Sequence, residues 1–302
     1  MILGDEESKA SIAVGNSSNF WLFSSASGYD LTHSSLPTTL ARRRLKINTT
    51  TVSVTVDPKK TALIIIDMQN YFLSPALGRA KGGGHDAESA LLEKAIPAAR
   101  KAGIQVVYVN WGIDEDTLKL LPPVVFRVFG FNIDRLAEDI ATGTDRESKR
   151  NTGIGEPMGE VKLLDGSVVD AGRKLMRNQW NTDLHDPMKR SFEESQGTSL
   201  PDLNFSKVRF SGFWSGFSPA LDFLRTNGFK TLLFGGVNTD QCVLSSVQDA
   251  ASEGFDTILL KDGCGTTSPE YATKAVLYNC HQAWGFVSSC VALSEGVSHM
   301  NL

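Results

Sequence analysis

Buried-strand runs recur along this chain at intervals that leave room for one helix between them, and this alternation restricts the fold more than any other feature. Thr61 to Asp67 reads Thr-Ala-Leu-Ile-Ile-Ile-Asp. Such a run is too short for a free-standing helix and β-branched enough for a strand covered on both faces. Ala87 to Ala102 is the helix that follows, with Pro97 expected to kink it, and Ile104 to Asn110 is the next strand. From Leu203 the alternation runs in full. A short strand ends near Ser206 and Lys207, Pro219 to Asn227 is helical, and Lys230 to Gly235 is a strand. Thr239 to Glu253 is a helix, Thr257 to Lys261 a strand, Pro269 to Ala283 a helix, and Gly285 to Cys290 the last strand. Six strands separated by helices imply a three-layer, Rossmann-like α/β fold: one parallel sheet with helices on both faces.

Two stretches lie outside this pattern. Residues 1–58 are rich in Ser, Thr, Asn and Gly, with an aromatic island at Phe20 to Phe23 and a basic cluster at Arg42, Arg43 and Arg44. They read as an N-terminal extension wrapping the domain or a partner subunit, and three arginines in a polar segment are expected to be solvated. Residues 59–302 form the domain itself. Within it, 142–200 is too long for an ordinary connection and reads as an insertion, a lid or a subunit contact. Pro122 to Arg150 is irregular or weakly helical. Asp165-Gly166 is the kind of turn that favours a two-residue hairpin.

The overall balance excludes several classes of function. Charged residues make up 21% and the net charge is -4, with pI near 5.8, which offers no footprint for nucleic acid or an anionic membrane. No apolar run approaches the ~20 residues that span a bilayer, and Asp5, Glu6 and Glu7 stand where a signal peptide wants a basic flank. The cysteines, Cys242, Cys264, Cys280 and Cys290, include no Cys-x-x-Cys pair. A reducing cytoplasm is expected. No Gly-x-Gly-x-x-Gly follows either early strand, so a dinucleotide cofactor is not indicated, and the glycines at 78 and 82 to 84 suggest a mobile loop.

The ends of the strands carry the chemistry. Ligands bind at the carboxyl ends of parallel strands, and Asp67, Lys207 and Cys242 all fall at such ends or in the turn after them. Cys242 follows the paired glycines of Gly235-Gly236-Val237-Asn238-Thr239-Asp240-Gln241-Cys242. At a helix start the free N–H groups favour the thiolate. A lone cysteine would more often be an inert core residue, but here an acid and a cation accompany it. Asp67 can act as base and then acid, Lys207 as a fixed cation and Cys242 as the nucleophile. The N–H of Cys242 can serve an oxyanion. Gln69, Asn70, Asn110, Trp111 and Phe213 are candidates for the substrate-binding wall, weighed evenly against plain packing. Arg177, Trp180 and Asn181 could cap the site of the same or a neighbouring subunit. Lys230 and Lys261 are expected in solvent, and Cys264, Cys280 and Cys290 in structural roles.

These motifs resemble the isochorismatase-like cysteine hydrolase superfamily over about Thr61 to Val291. The pieces that carry the resemblance are Ile-Ile-Asp-Met-Gln-Asn at 65 to 70, Lys-Val-Arg-Phe-Ser-Gly-Phe at 207 to 213 and Gly-Val-Asn-Thr-Asp-Gln-Cys-Val at 236 to 243. The resemblance implies the triad Asp67, Lys207 and Cys242, a cis peptide at Val237-Asn238, and an oxyanion hole shared by the N–H groups of Asn238 and Cys242. Nicotinamidases of this superfamily carry an Asp-x-His metal site after the second strand. Here that region reads Asn110-Trp111-Gly112-Ile113-Asp114, so no metal and no other cofactor is expected, although His85 or His185 could in principle supply a ligand. The stretch after Lys207 and residues 275–288 look similar to ureidoacrylate and carbamoyl amidohydrolases.

The expected function is therefore hydrolysis of a small amide or ureide C–N bond through a thioester, by a homo-oligomer whose partner is a small-molecule substrate. Vinyl-ether cleavage, which does not need the cysteine, is one alternative. A catalytically silent binding or scaffold subunit is the other.

Overall fold

The computed structural model describes residues 11–34, 44–130 and 153–300. Arg42, Arg43 and the start of the insertion lie outside them. The N-terminal segment forms a five-stranded sheet from β1 (Ile12–Gly15), β2 (Phe20–Ser24), β3 (Gly28–Asp30), β4 (Leu45–Ile47) and β5 (Val54–Val56), in the order β1-β2-β3-β5-β4. The aromatic island is β2, and Trp21 donates its indole N–H to Asp256 at 2.7 Å. Leu45, Ile47, Val54 and Val56 are fully buried in the same cluster as Leu63 and Ile258 of the main sheet, so the segment completes the domain core.

The main sheet contains β6 (Thr61–Ile66) and β7 (Gln105–Trp111), then, beyond a small hairpin of β8 (Glu160–Lys162) and β9 (Val168–Asp170), β10 (Leu203–Lys207), β11 (Thr231–Val237), β12 (Asp256–Gly265) and β13 (Phe286–Ser288). Its order is β10-β7-β6-β11-β12-β13, and every pairing is parallel. Alternate residues feed two cores. Ala62, Ile64 and Ile66 face Trp111, Phe213 and Phe234, under the helices Pro219–Thr226, Leu244–Ser252 and Glu270–Asn279. Leu63 and Ile65 face the other way, toward the helices Ile96–Ala102 and Cys290–Ser298. A sheet buried on both faces explains why its strands read as unbroken apolar runs.

Several local expectations are corrected by packing. The glycines at 83 and 84 open the helix Gly83–Ala90 rather than a mobile loop. A Cβ on Gly265 would stand 2.2 Å from the Gly83 carbonyl oxygen, and one on Gly84 would stand 2.9 Å from Leu73, so close approach requires glycine at 84 and 265. The irregularity expected at Pro97 lies just before it. A π-turn over Leu91–Ala95 comes first, with Ile96 N–H bonding Leu91 C=O, and the missing proline donor is absorbed there. The paired glycines do not end β11 either. Gly236 has φ +117°, a Cβ there would meet the Ile66 carbonyl oxygen at 2.1 Å, and the register with β12 slips at this point. Cys290 begins a terminal helix capped by Ser289, not the end of a strand. The Asp165-Gly166 hairpin forms with a three-residue loop, because Leu163 N–H bonds Ser167 C=O and Gly166 takes φ +89°.

Candidate active site

Asp67 follows directly on β6 and adopts φ +54°, rare for a residue with a side chain. Lys207 is the last residue of β10, two strands away, and Trp111 ends the intervening β7, in register with Lys207. Cys242 lies in the π-turn Thr239–Val243 after β11, whose cap is Asn238. The Val237–Asn238 peptide is cis.

These ends bring the three expected groups together. Lys207 Nζ is 3.0 Å from Asp67 Oδ2, 3.1 Å from the Arg209 carbonyl oxygen and 3.9 Å from the centre of the Trp111 ring. Asp67 Oδ1 accepts the Trp111 backbone N–H at 3.1 Å. The Cys242 thiol and the Asp67 carboxyl stand close enough to shift one another's titration. Burial pushes the Asp67 carboxyl upward, against the Lys207 ammonium that favours its ionised form. The Cys242 thiol is pushed up to about 12, by burial above all, opposed by Lys207 and reinforced by Asp67. The helix start was expected to lower it; burial outweighs that local effect. Burial thus favours the neutral thiol over the thiolate at Cys242.

The wall candidates divide. Gln69 and Asn70 are buried, and their amides hold backbone of the insertion. Gln69 donates to the Trp111 and Thr182 carbonyls at 2.8 and 2.7 Å and accepts the Trp111 N–H at 3.0 Å. Asn70 donates to the Trp180 carbonyl at 2.9 Å. Asn110 points to the opposite face of the sheet from Trp111 and donates to Asn204 at 2.9 Å. Phe213 is fully buried and packs edge-on against Phe234. Trp111 has one ring face covered by Lys207, and Gln69 also touches the triad, its backbone N–H bonding the Asp67 carbonyl at 2.8 Å.

The insertion closes over its own domain. Asn181, fully buried, donates to the carbonyls of Ala171 and Arg173 and accepts the Leu175 N–H, and His185 N–H bonds the Met68 carbonyl. Arg177 donates to the Gly112 carbonyl at 3.2 Å. Both loop histidines are engaged: His185 Nδ1 lies 2.7 Å from Glu88, and His85 Nε2 lies 2.9 Å from the Leu73 carbonyl oxygen. Cys264, Cys280 and Cys290 are shifted upward by burial, as Cys242 is, but among the described residues no lysine offsets that shift as Lys207 does at Cys242.

The isochorismatase domain family matches residues 165–289, a span that includes Lys207, Asn238 and Cys242. A ureidoacrylate amidohydrolase, RutB of Caulobacter segnis, is 30% identical over 242 residues, covering 78% of this chain and 85% of its own. Among solved structures, a cysteine hydrolase from Pseudomonas syringae pv. phaseolicola superposes with a TM-score of 0.55 at 16% identity, over 80% of this chain and 94% of its own. An isochorismatase family protein from Desulfovibrio vulgaris does so with 0.54 at 18%, over 80% and 99%. At these identities the structural likeness is one of fold.

Proposed function

The chain belongs to the isochorismatase-like hydrolase family, and on that premise we propose that it is a cysteine hydrolase cleaving the C–N bond of a small amide or ureide. The observation that carries this reading is the buried Lys207–Asp67 ion pair with the Cys242 thiol beside it, near enough that thiol and carboxyl shift one another's titration. A vinyl-ether hydrolase has no use for that thiol. Asp67 takes the thiol proton as Sγ attacks the substrate carbonyl carbon. The oxyanion is received by the N–H groups of Asn238 and Cys242. As the C–N bond breaks, Asp67 returns the proton to the leaving amine, leaving a thioester on Sγ. Water, losing its proton to Asp67, then attacks that thioester, and the acid and the thiol are regenerated. Lys207 keeps Asp67 ionised in a site where burial opposes charge. The relative that acts on a ureidoacrylate directs attention to carbamoyl compounds as the first substrates to try.

We assign catalysis to residues 59–302 with the N-terminal extension as part of the core, and take the working unit to be a homo-oligomer. Turnover of a panel of amides, ureides and isochorismate, followed by release of ammonia and acid, tests the whole reading. Cys242→Ala should abolish hydrolysis of the C–N substrates. Retained turnover of the same substrate would overturn it, and cleavage of isochorismate that survives Cys242→Ala but not Asp67→Asn would replace it with the vinyl-ether reaction.

A further inference from the structure

We propose that Trp111 is a positioning residue that seats the Lys207 ammonium on its ring face and turns its indole N–H toward the Cys242 sulfur, so that one side chain registers two members of the triad. The proposal rests on the triad assigned above.

Lys207 has three N–H donors, and its side chain is only 2% exposed. Asp67 takes one direction at 3.0 Å and the Arg209 carbonyl another at 3.1 Å. The Trp111 ring, 3.9 Å from Nζ, takes the remaining one. A desolvated ammonium over an indole face is held by the ring quadrupole, so the ring supplies what solvent would otherwise give.

The ring itself cannot turn. Its backbone is gripped at both ends, the N–H by Asp67 Oδ1 and Gln69 Oε1, and the C=O by Gln69 Nε2. Phe129 and Phe210 stand edge-on to it at 5.1 and 5.9 Å between ring centres. This fixed ring carries a buried Nε1–H that has no partner of ordinary hydrogen-bond geometry among the described residues. Buried donors are rarely left so. The Trp111 side chain favours the ionised form of Cys242, which makes the sulfur the acceptor assigned to this N–H. In the resting enzyme the sulfur is a neutral thiol and a poor acceptor. When its proton moves to Asp67 the sulfur becomes an anion, and the indole N–H becomes a charge-assisted donor to it.

The test is the rate of iodoacetamide alkylation at Cys242, mapped by peptide mass, between pH 6 and 10. It is measured in the full chain, in Trp111→Phe and Trp111→Leu, and in each with Lys207→Met. Trp111→Phe keeps a ring face and loses the N–H, so at fixed pH the rate should fall about threefold to tenfold, with its pH profile displaced upward. Trp111→Leu should lose more, and the extra loss should vanish in the Lys207→Met background, because the ring acts there through the ammonium. Unchanged pH profiles in the Phe and Leu variants, or a Phe-to-Leu difference equal in both backgrounds, would overturn the proposal. If a Leu or Met variant fails to fold by circular dichroism, Trp111→Phe decides alone: a displaced profile supports, an unchanged one refutes. Failure of the triad itself is seen separately, as turnover that survives Cys242→Ala.

Discussion

Lys207 Nζ lies 3.0 Å from Asp67 Oδ2, with neither side chain more than 2% exposed. An ion pair so closed to water is a poor source of stability in itself, since desolvating two charges offsets most of their attraction. Under the proposed function its place at the ends of β6 and β10 has a chemical reason: the ammonium opposes the burial that disfavours a charged carboxylate beside the thiol.

Removing one partner should be expensive. Lys207→Met keeps the chain length and leaves Asp67 buried without its cation, which should destabilise the fold by about 3–5 kcal/mol. Urea unfolding at pH 7 measures this. In the doubly neutral Lys207→Met, Asp67→Asn protein much of the loss should be recovered, although turnover is absent from both. Equal stability of wild type and the single variant would show that water or a rearranged donor replaces the ammonium.

Asp67→Asn separates base from scaffold. The amide cannot accept the thiol proton, so turnover should fall by about 100-fold or more, on the scale of general-base catalysis. Yet the carboxylate is also one of the charges that raises the Cys242 thiol, while Lys207 lowers it. Its removal should therefore increase the thiolate fraction and speed iodoacetamide alkylation at pH 7. A variant slow in both assays would mean that Asp67 holds the site together without acting as its base.

Those opposed effects also explain what was legible in the sequence. The six strands, their parallel pairing and the convergence of Asp67, Lys207 and Cys242 follow from short apolar runs that end in polar residues. Wall residues were harder, because the strand run that contains Asn110 and Trp111 shows that they alternate, not which face of the sheet receives which. Gln69 and Asn70 follow Asp67 closely in sequence and read as wall candidates or as plain packing with equal weight. Their true partners, the carbonyls at Thr182 and Trp180, are more than a hundred residues away and carry no side-chain signature. The seat of Lys207 on Trp111 depends on strand order and register, which spacing along the chain does not encode. The thiol shift was misjudged for a similar reason: a helix start is visible locally, whereas the burial that outweighs it is made by the whole fold.

The raised thiol has a consequence for stability. Cys242 titrates near 9.0 when unfolded and about 12 when folded. Its contribution is therefore fully present below pH 9 and is lost as pH rises toward 12, because the unfolded chain releases the proton first. Between pH 8 and 10 this one group should cost about 1.4 kcal/mol. Cys242→Ser has no ionisation in that window, so its stability in urea should decline less steeply by that amount. Parallel declines in the two proteins would mean that the folded thiol ionises as readily as the unfolded one.

Gln69 ties the insertion to the triad, and its replacement should show this without touching a reacting atom. Its amide nitrogen bridges the Trp111 and Thr182 carbonyls at 2.8 and 2.7 Å, while its oxygen shares the Trp111 N–H with Asp67. Gln69→Met fills nearly the same volume and leaves those backbone groups wanting, at about 1–3 kcal/mol for each buried group that finds no substitute. The loss should be local before it is global. Hydrogen exchange should quicken over residues 175–185, where His185 N–H on the Met68 carbonyl and the Asn70 contact to Trp180 would be left to hold the insertion. Turnover should fall with the looser ring of Trp111, and Gln69→Glu should restore only part of it, since a carboxylate can accept the Trp111 N–H but cannot donate to either carbonyl. Unchanged exchange over 175–185 in Gln69→Met would show that the insertion is held by its own Asn181 network and that Gln69 serves Trp111 alone.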